Sequence, residues 1–243
     1  MIKIKDLSFA YPGGGPVLES ITLAVKKGAL LCLAGVNGSG KSSLLLLLAG
    51  LLSPDKGSIQ VNADKSPGRE KTLRQTCGLL LQDADLQILG ATVEEDLLLG
   101  TDPKDKNARE KALDVARNFK LDTLFARPVQ TLSWGQKKKL CLAATLIQAP
   151  KVLLLDEPLS GLDYPGILEM RSILVKNQTQ GLTQVIAAHD LEPVADLADF
   201  LAVLHKGKIR LFGPPKEVLD KIKKFGVRPP CSWNKDKEIT PWE

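Results

Sequence analysis

A glycine-rich segment near the start of the chain carries the residue types that bind phosphate. Residues 35–42 have the sequence GVNGSGKS, which fits the pattern G-x-x-x-x-G-K-S. The segment follows the apolar run Leu30–Ala34 and precedes a run of leucines, so it joins a buried strand to a helix, as such a loop requires. Glycines let backbone N–H groups turn toward phosphate oxygens, and the helix N-terminus adds partial positive charge. We expect Lys41 to reach the β- and γ-phosphates of a nucleotide and the Ser42 hydroxyl to ligate Mg²⁺.

Two adjacent carboxylates end another apolar run. Residues 151–158 have the sequence KVLLLDEP, which predicts a buried strand with Asp156 and Glu157 at its carboxyl end, where open α/β sheets bind their ligands. Asp156 suits a position near Mg²⁺, and Glu157 suits polarising the water that attacks a phosphate. Beside a phosphate loop, this arrangement predicts nucleotide hydrolysis rather than two exposed carboxylates in a turn.

The elements that must position these residues alternate along much of the chain. Short apolar or alternating runs, typical of strands, are separated by helical segments, which favours an α/β fold with a mostly parallel core sheet. Residues 83–150 have helical periodicity and predict an inserted helical subdomain. The prediction is one domain over residues 1–226 and a short, loosely ordered tail over residues 227–243. Further helices are expected over residues 190–198 and 214–224.

Composition limits the function classes. The formal net charge is +5 and only 5% of residues are aromatic, which is too few for a platform that stacks single-stranded nucleic acid; no nucleic-acid partner is expected. The longest apolar run, Leu44–Leu52, is far short of the ~20 residues of a membrane span, so the chain is not expected to cross a bilayer by itself. The four widely spaced cysteines predict reduced thiols.

A further motif precedes a lysine-rich helix. Leu132–Gln136 has the sequence LSWGQ, and with the phosphate loop and the acidic strand end it makes the chain resemble the ATP-binding-cassette (ABC) ATPases, whose signature is usually LSGGQ. The resemblance covers roughly residues 1–225. It implies a P-loop NTPase fold with an N-terminal antiparallel β-subdomain and an inserted helical subdomain. It also implies a head-to-tail dimer in which the signature of one subunit contacts the γ-phosphate of ATP bound to the other. Trp134 replaces the first glycine of the usual signature.

The resemblance assigns a role to each matching residue. Glu157, His189 and Gln82 are the implied catalytic residues, and Ser42, Gln82 and Asp156 surround Mg²⁺. The residues that bind ATP in the same subunit are Tyr11 (stacked on adenine), Val17, Asn37, Gly38, Ser39, Gly40, Lys41, Ser42 and Ser43. The residues that bind it from the other subunit are Ser133, Gly135, Gln136 and Asp163.

The segment after Gln82 indicates a branch of the family. Residues 83–96, DADLQILGATVEED, resemble the energy-coupling factor (ECF) importers of vitamins and transition-metal ions, although Ala84 stands where proline is usual. The implied partners are a second ATPase subunit (identical or a paralogue), a membrane scaffold (T) component and a substrate-binding (S) component, on the cytoplasmic face of the membrane. Asp85 and Gln87 are expected to contact the scaffold. The match leans toward the cobalt or nickel group.

Two other classes remain open. One is the ATPase of a conventional ABC solute importer or exporter. The other is a soluble ABC protein of translation or DNA maintenance, which a single cassette with an ordinary helical insert disfavours. For Trp134, the expectation is a half-exposed position at the dimer interface that becomes buried when ATP closes the dimer, and the alternative is packing within its own helical insert with no change of environment.

Overall fold

The computed structural model describes residues 1–242, and its centre is a six-stranded sheet. The strand order is β10-β9-β3-β8-β7-β6, with every neighbouring pair parallel except β9 and β10. The strands are β3 (Leu30–Ala34), β6 (Cys77–Leu80), β7 (Val152–Asp156), β8 (Thr183–Ala188), β9 (Phe200–His205) and β10 (Lys208–Gly213). The predicted α/β fold with a mostly parallel core sheet is confirmed.

A second, antiparallel sheet of order β2-β1-β4-β5 is built from the N-terminal part of the chain, as the resemblance implied. Its strands are β1 (Ile2–Ala10), β2 (Pro16–Val25), β4 (Lys56–Val61) and β5 (Asp64–Ser66). The short strand β5 and the helix α2 (Glu70–Thr76) that follows it were not predicted, because both are polar and lack a clear apolar periodicity.

The remaining helices lie on both sides of the core sheet. They are α1 (Lys41–Leu48), α3 (Val93–Leu99), α4 (Ala108–Asn118), α5 (Trp134–Leu146), α6 (Tyr164–Thr179), α7 (Pro215–Val218) and α8 (Cys231–Asp236). Between β6 and β7 the described chain has helices, turns and one isolated β-bridge, between Thr92 and Pro128, but no strand, which matches the predicted helical periodicity of residues 83–150. No helix within residues 1–242 is long and apolar enough to cross a membrane.

Strand β3 is buried on both faces, and its side chains belong to two hydrophobic clusters. Leu30, Cys32 and Ala34 pack with the helices that follow β6, whereas Leu31 and Leu33 pack with α1 and the antiparallel sheet. A strand with apolar partners on both faces needs a continuous apolar run, which is why its sequence does not alternate. The four cysteines are free thiols, as predicted.

Two predicted helices are shorter than expected. The segment 190–198 contains only a 3₁₀ turn at Ala195–Leu197, because Pro193 lacks the backbone N–H that a continuous helix would use. The last predicted helix divides into α7 and a 3₁₀ segment, Leu219–Phe225. Apolar spacing alone does not distinguish these forms from α-helix.

The tail is better ordered than its polar composition suggested. Helix α8 packs on the rest of the chain through Trp233, which is 5% exposed and whose Nε1 donates to Asp220 Oδ1 at 3.0 Å. The ring of Trp242 lies 5.5 Å from that of Tyr164, centroid to centroid. The prediction of a loosely ordered tail was wrong, since two tryptophans supply the buried area that the polar residues cannot.

Candidate functional site

The phosphate loop joins β3 to α1 and has a backbone that requires glycine. Gly38 and Gly40 have positive φ angles of 76° and 106°. A Cβ at Gly35 would collide with the carbonyl oxygen of Leu204, and one at Gly40 would lie 2.8 Å from Leu18 Cδ2. The carbonyl oxygen of Leu204 leaves no room for a side chain at Gly35, and the positive φ of Gly40 together with the nearby Leu18 methyl group disfavours one there.

Residues from four segments surround one cavity of about 360 Å³ at the carboxyl ends of the core strands. The lining residues are Val17, Asn37, Gly38, Gly40, Lys41, Ser42, Ser43, Gln82, Asp156 and Glu157. The structure thus brings together Val17 of β2, the phosphate loop, Gln82 two residues after β6 and the acidic end of β7. The last three of these segments are up to 120 residues apart in sequence, and the parallel sheet places them side by side.

Lys41 is buried at the floor of this cavity. Its Nζ donates to the carbonyl oxygen of Gly35 at 2.8 Å and lies 3.6 Å from Glu157 Oε1. The hydroxyl of Ser39, also buried, has no hydrogen-bond partner in the part of the chain that is described. A buried cation and an unpartnered hydroxyl next to a glycine loop suit an anionic group that the chain itself does not supply.

Asp156 has an unsatisfied oxygen at the same place. Its Oδ1 is buried and has no partner within residues 1–242. Burial raises the pKa of this carboxyl, and a hydrogen bond from Ser42 acts in the opposite direction. The described part of the chain has no cluster of three or more His, Cys, Asp or Glu side chains that could hold a metal. A metal ion at this place therefore needs hydroxyl, amide and phosphate oxygens besides the Asp156 carboxylate. That donor set suits Mg²⁺.

Glu157 and His189 form a close pair. Glu157 Oε2 lies 2.7 Å from His189 Nδ1, and because a carboxylate only accepts, Nδ1 carries the hydrogen of this bond. Glu157 has a positive φ of 50°, which is unfavourable for a non-glycine residue. Such backbone strain is concentrated at functional sites.

The proposed adenine contact lies beside the cavity. Tyr11 is 41% exposed, and its hydroxyl is 3.2 Å from Ser43 Oγ. Its ring packs edge-on against Phe9 with a centroid distance of 4.9 Å. Tyr11 therefore has an exposed ring fixed next to the phosphate loop, which leaves the ring available for stacking.

The signature residues are not part of this cavity. Ser133 caps α5 and forms a capping box with Gln136: Ser133 Oγ accepts from the Gln136 N–H at 3.3 Å, and Gln136 Oε1 accepts from the Ser133 N–H at 2.8 Å. Asp163 caps α6 through Gly166 N–H at 3.0 Å. Ser133, Gly135, Gln136 and Asp163 are all absent from the cavity lining, so the structure does not bring them to the phosphate loop of their own subunit.

Trp134 is 38% exposed and packs against its own subunit on one side. A Cβ at Gly161 would lie 3.0 Å from its Nε1, and Lys138 Nζ lies 5.7 Å from the ring centroid. The half-exposed position matches the expectation, and the contact with the turn before α6 was not anticipated.

The side chain of Gln87, which was expected to contact the scaffold, points into its own subunit. The amide of Gln87 bonds inward, accepting from Leu81 N–H at 2.9 Å and donating to Leu79 O at 3.0 Å and to Thr145 Oγ1 at 3.2 Å. This side chain therefore supports its own loop rather than pointing outward.

This loop exposes two large apolar side chains beside its exposed aspartates. Leu86 is 74% and Leu89 81% exposed, whereas Asp85 pairs with Lys137 at 2.6 Å. Leu89 and Leu99 line a depression of about 600 Å³ beside α3.

One residue of the site region was missed in the sequence. Lys138 is 1% exposed, and its Nζ donates to the carbonyl oxygens of Glu157 at 2.8 Å and Ser160 at 2.6 Å. Burial lowers its pKa to about 8, while Glu157 and Asp156 act in the opposite direction. Lys138 is the middle of three consecutive lysines, and successive side chains on a helix point about 100° apart. On a helix that is buried on one side, three consecutive side chains do not all face solvent, so the run itself indicated that one lysine is buried.

Comparison with known proteins agrees with this geometry. The model of the family described as "ABC transporter" matches residues 18–160. The energy-coupling factor transporter ATP-binding protein EcfA2 of Methanospirillum hungatei is 36% identical over 225 residues, which are 89% of this chain and 56% of that protein. The chain thus spans little more than half the length of that relative. The cobalt import ATP-binding protein CbiO of Rhodobacter capsulatus is 36% identical over 239 residues, covering 95% of this chain and 85% of that protein.

A solved structure gives the same result for the fold. CbiO1 from Clostridium perfringens, described as part of the ABC transporter complex CbiONQ, has a TM-score of 0.81 and 32% sequence identity. The match covers 97% of this chain and 95% of that one. Because the family model spans more than half of the sequence, and CbiO of Rhodobacter capsulatus is 36% identical over 95% of it, the chain belongs to the ABC transporter family of ATP-binding proteins.

Proposed function

We propose that this chain is the ATP-hydrolysing subunit of an energy-coupling factor importer. The observation that carries the proposal is the convergence of the phosphate loop, Gln82, Asp156 and Glu157 on one cavity, with His189 2.7 Å from Glu157. The importer class is supported by the relatives named for energy-coupling factor and cobalt transport.

In this proposal the phosphate loop binds the β- and γ-phosphates. Backbone N–H groups of residues 37–42 and the N-terminus of α1 face the phosphates, and Lys41 exchanges its bond to Gly35 O for one to phosphate. Tyr11 stacks on the adenine, and Val17 packs beside it.

Ser42, Gln82 and Asp156 are the residues that would hold Mg²⁺. They line the same cavity, and the buried Asp156 Oδ1 is an acceptor for which residues 1–242 supply no donor. When bound, Mg²⁺ supplies neutralisation of the charge that accumulates on the phosphate oxygens.

Glu157 orients the attacking water. Its carboxylate accepts a hydrogen bond from that water and directs the lone pair toward the γ-phosphorus, while His189 holds the carboxylate through Nδ1 and presents its ring edge to the γ-phosphate. The buried surroundings of Glu157 strengthen these contacts where charge develops.

Two subunits are needed to complete each site. The capped N-terminus of α5 is an anion-binding end, and Ser133, Gly135 and Gln136 are absent from the cavity of their own subunit. A head-to-tail dimer places this end, together with Asp163, against the γ-phosphate bound by the partner. The partner is a second copy or a paralogue.

The exposed leucines of the loop after Gln82 indicate where a membrane component binds. Leu89 lines the same depression as Leu99, and the exposed Leu86 lies three residues before it in sequence. Exposed apolar groups beside a concave surface are typical of a protein interface. We assign this surface to the membrane scaffold (T) component, which in turn carries a substrate-binding (S) component. The subunit then lies at the cytoplasmic face of the membrane.

The names of the relatives point to a micronutrient as the cargo: a vitamin, or a transition-metal ion such as cobalt or nickel. Copurification separates this class from a conventional ABC importer or exporter. A tagged chain expressed with its neighbouring genes is expected to retain a small substrate-binding membrane protein and a shared scaffold subunit. Recovery with a dedicated permease alone would contradict the energy-coupling factor assignment.

The chemical assignment is tested with Glu157→Gln. The amide cannot orient the water as a carboxylate does, so we expect turnover to fall at least ~10²-fold, ATP affinity to persist, and an ATP-dependent dimer to accumulate in light scattering. The matched control is Glu110→Gln, the same change on an exposed face of α4. Near-normal turnover in Glu157→Gln would remove Glu157 from the mechanism.

A further inference from the structure

Three consecutive lysines in the first turns of α5 have different surroundings. Lys137 and Lys139 pair with carboxylates of the loop after Gln82 and of α6, at 2.6 and 2.9 Å. Lys138 lies between them in sequence but is 1% exposed, and its ammonium donates to two backbone carbonyl oxygens of the turn that follows β7. The same residue type is therefore used once in the interior and twice near the surface.

Burial of an ammonium is unfavourable unless its N–H groups find strong acceptors. A methionine or leucine of similar size would fill the same space without this cost. The two carbonyl contacts at 2.8 and 2.6 Å compensate for the burial and are charge-assisted, so they fix the carbonyl oxygens more firmly than neutral bonds would. A lysine at this position therefore serves to hold those two carbonyl groups.

The two carbonyl groups belong to the turn that contains Glu157. The carbonyl oxygen of Glu157 also accepts from Ser160 N–H at 3.2 Å, so Lys138 connects both ends of this turn. Glu157 itself has the positive φ of 50°, a conformation that persists only where its surroundings enforce it. Lys138 is one of the contacts that enforce it.

We infer that Lys138 is a positioning residue for hydrolysis: its ammonium holds the turn 157–160 so that the Glu157 carboxylate faces the nucleotide cavity, and it ties this turn to α5. The inference rests on the role proposed above for Glu157. Ser133 caps the same helix five residues earlier. The segment that contacts the partner's nucleotide is thus joined by one side chain to the glutamate of its own subunit.

Lys138→Met tests the inference in the full-length chain. We expect kcat for ATP to fall at least ~10-fold, since small misplacements of a reacting group carry losses of this size. The Kd for a fluorescent ATP analogue stays within about twofold, because the phosphate loop is untouched. Lys137→Met is the matched control and keeps the kcat of the unsubstituted chain. Lys138→Gln, which retains an N–H donor, restores a measurable part of kcat.

A double-mutant cycle separates positioning from general damage. If Lys138 acts through Glu157, Lys138→Met in the Glu157→Gln background changes the residual rate by less than about twofold. A full multiplicative loss shows that Lys138 acts elsewhere and overturns the inference, as does normal kcat in Lys138→Met alone. If circular dichroism shows Lys138→Met unfolded, the cycle is run with Lys138→Gln. Unimpaired Glu157→Gln would instead remove the role proposed above for Glu157, so the two failures are distinguishable.

Discussion

Two loops leave the same edge of the core sheet and are built in opposite ways. The phosphate loop after β3 exposes backbone groups and buries its lysine, with glycines where any side chain would collide. The loop after β6 satisfies its backbone through the Gln87 amide and exposes two leucines. The first is suited to a small anion, which backbone N–H groups can surround. The second is suited to a protein surface, which apolar side chains can bind.

The difference follows from what each loop must recognise. Phosphate oxygens need several donors converging within hydrogen-bond distance, which requires a backbone free of Cβ atoms. A protein partner needs apolar area on a fixed support, and three inward bonds from Gln87 supply that support. The strand ends of one sheet thus bear one loop suited to phosphate and one suited to a protein surface. Gln82 lines the nucleotide cavity and begins the second loop.

The largest effect is expected at the phosphate loop. Lys41→Met removes a buried charged donor, and because hydrogen bonds to charged groups contribute ~1.5–3 kcal/mol, the Kd for ATP should rise about 10- to 100-fold. Isothermal titration with ATP measures it. Lys65→Met on the exposed strand β5 is the control. An unchanged Kd would contradict the view that this loop binds the phosphates with Lys41.

Substitutions in the loop after β6 should impair transport rather than ATP binding. Leu86→Asp with Leu89→Asp places charges on the apolar surface, and we expect uptake by the reconstituted importer to fall at least ~10-fold, since interface anchors contribute ~2 kcal/mol or more. ATP hydrolysis by the isolated subunit should persist.

The control for this pair is Leu51→Asp, another exposed leucine, located after α1. Equal loss of uptake in the control would show that any surface charge impairs transport. Unimpaired uptake in the double variant would show that the membrane component binds elsewhere.

Gln87→Ala sharpens the comparison by removing the inner support and leaving the leucines. Leu81 N–H loses its acceptor and Leu79 O keeps only the 3.4 Å contact with Thr145 Oγ1, which should lower the free energy of unfolding by ~1–3 kcal/mol, measured by urea denaturation. Gln148→Ala, which removes one exposed bond of 3.4 Å, should change it by less than ~0.5 kcal/mol. If Gln87→Ala keeps the stability of the unsubstituted chain and loses only uptake, Gln87 contacts the membrane component directly.

The sequence predicted the phosphate loop and the acidic strand end well because both depend on local rules. A glycine loop between a buried strand and a helix has one geometry, and the parallel sheet then brings Asp156 and Gln82 to it. The direction of individual polar side chains did not follow from such rules. Gln87 and Lys138 are polar residues in polar runs, and only packing against Thr145 and the turn after β7 determines that they face inward.

The tail shows the same limit. Its polar composition predicted a loosely ordered segment, yet Trp233 is buried and its indole N–H donates to Asp220, 13 residues earlier. A single aromatic side chain with a matched acceptor outweighed the average polarity of the segment. Average composition therefore predicts the state of a segment less reliably than the position of its few large apolar groups.

The test at Trp134 has the smallest expected effect, because this residue combines features of both loops. It is the first residue of α5, beside the backbone groups expected to face the partner's phosphate, but it offers a large side chain. With 38% of its surface exposed and one side against Gly161, the indole has an open side that a partner subunit can cover. Tryptophan is favoured at such interfaces because it combines a large apolar area with a polar N–H.

In the Glu157→Gln background, ATP with Mg²⁺ should therefore shift the emission of Trp134 to shorter wavelength, and ADP should not. Trp233 is buried and hydrogen-bonded, so it is better retained than replaced, and the signal of Trp134 is obtained by subtracting a matched sample that also carries Trp134→Phe. If scattering shows the ATP-bound dimer but the difference spectrum is unchanged, the indole stays against its own subunit. The start of α5 would then meet the partner's nucleotide without the indole.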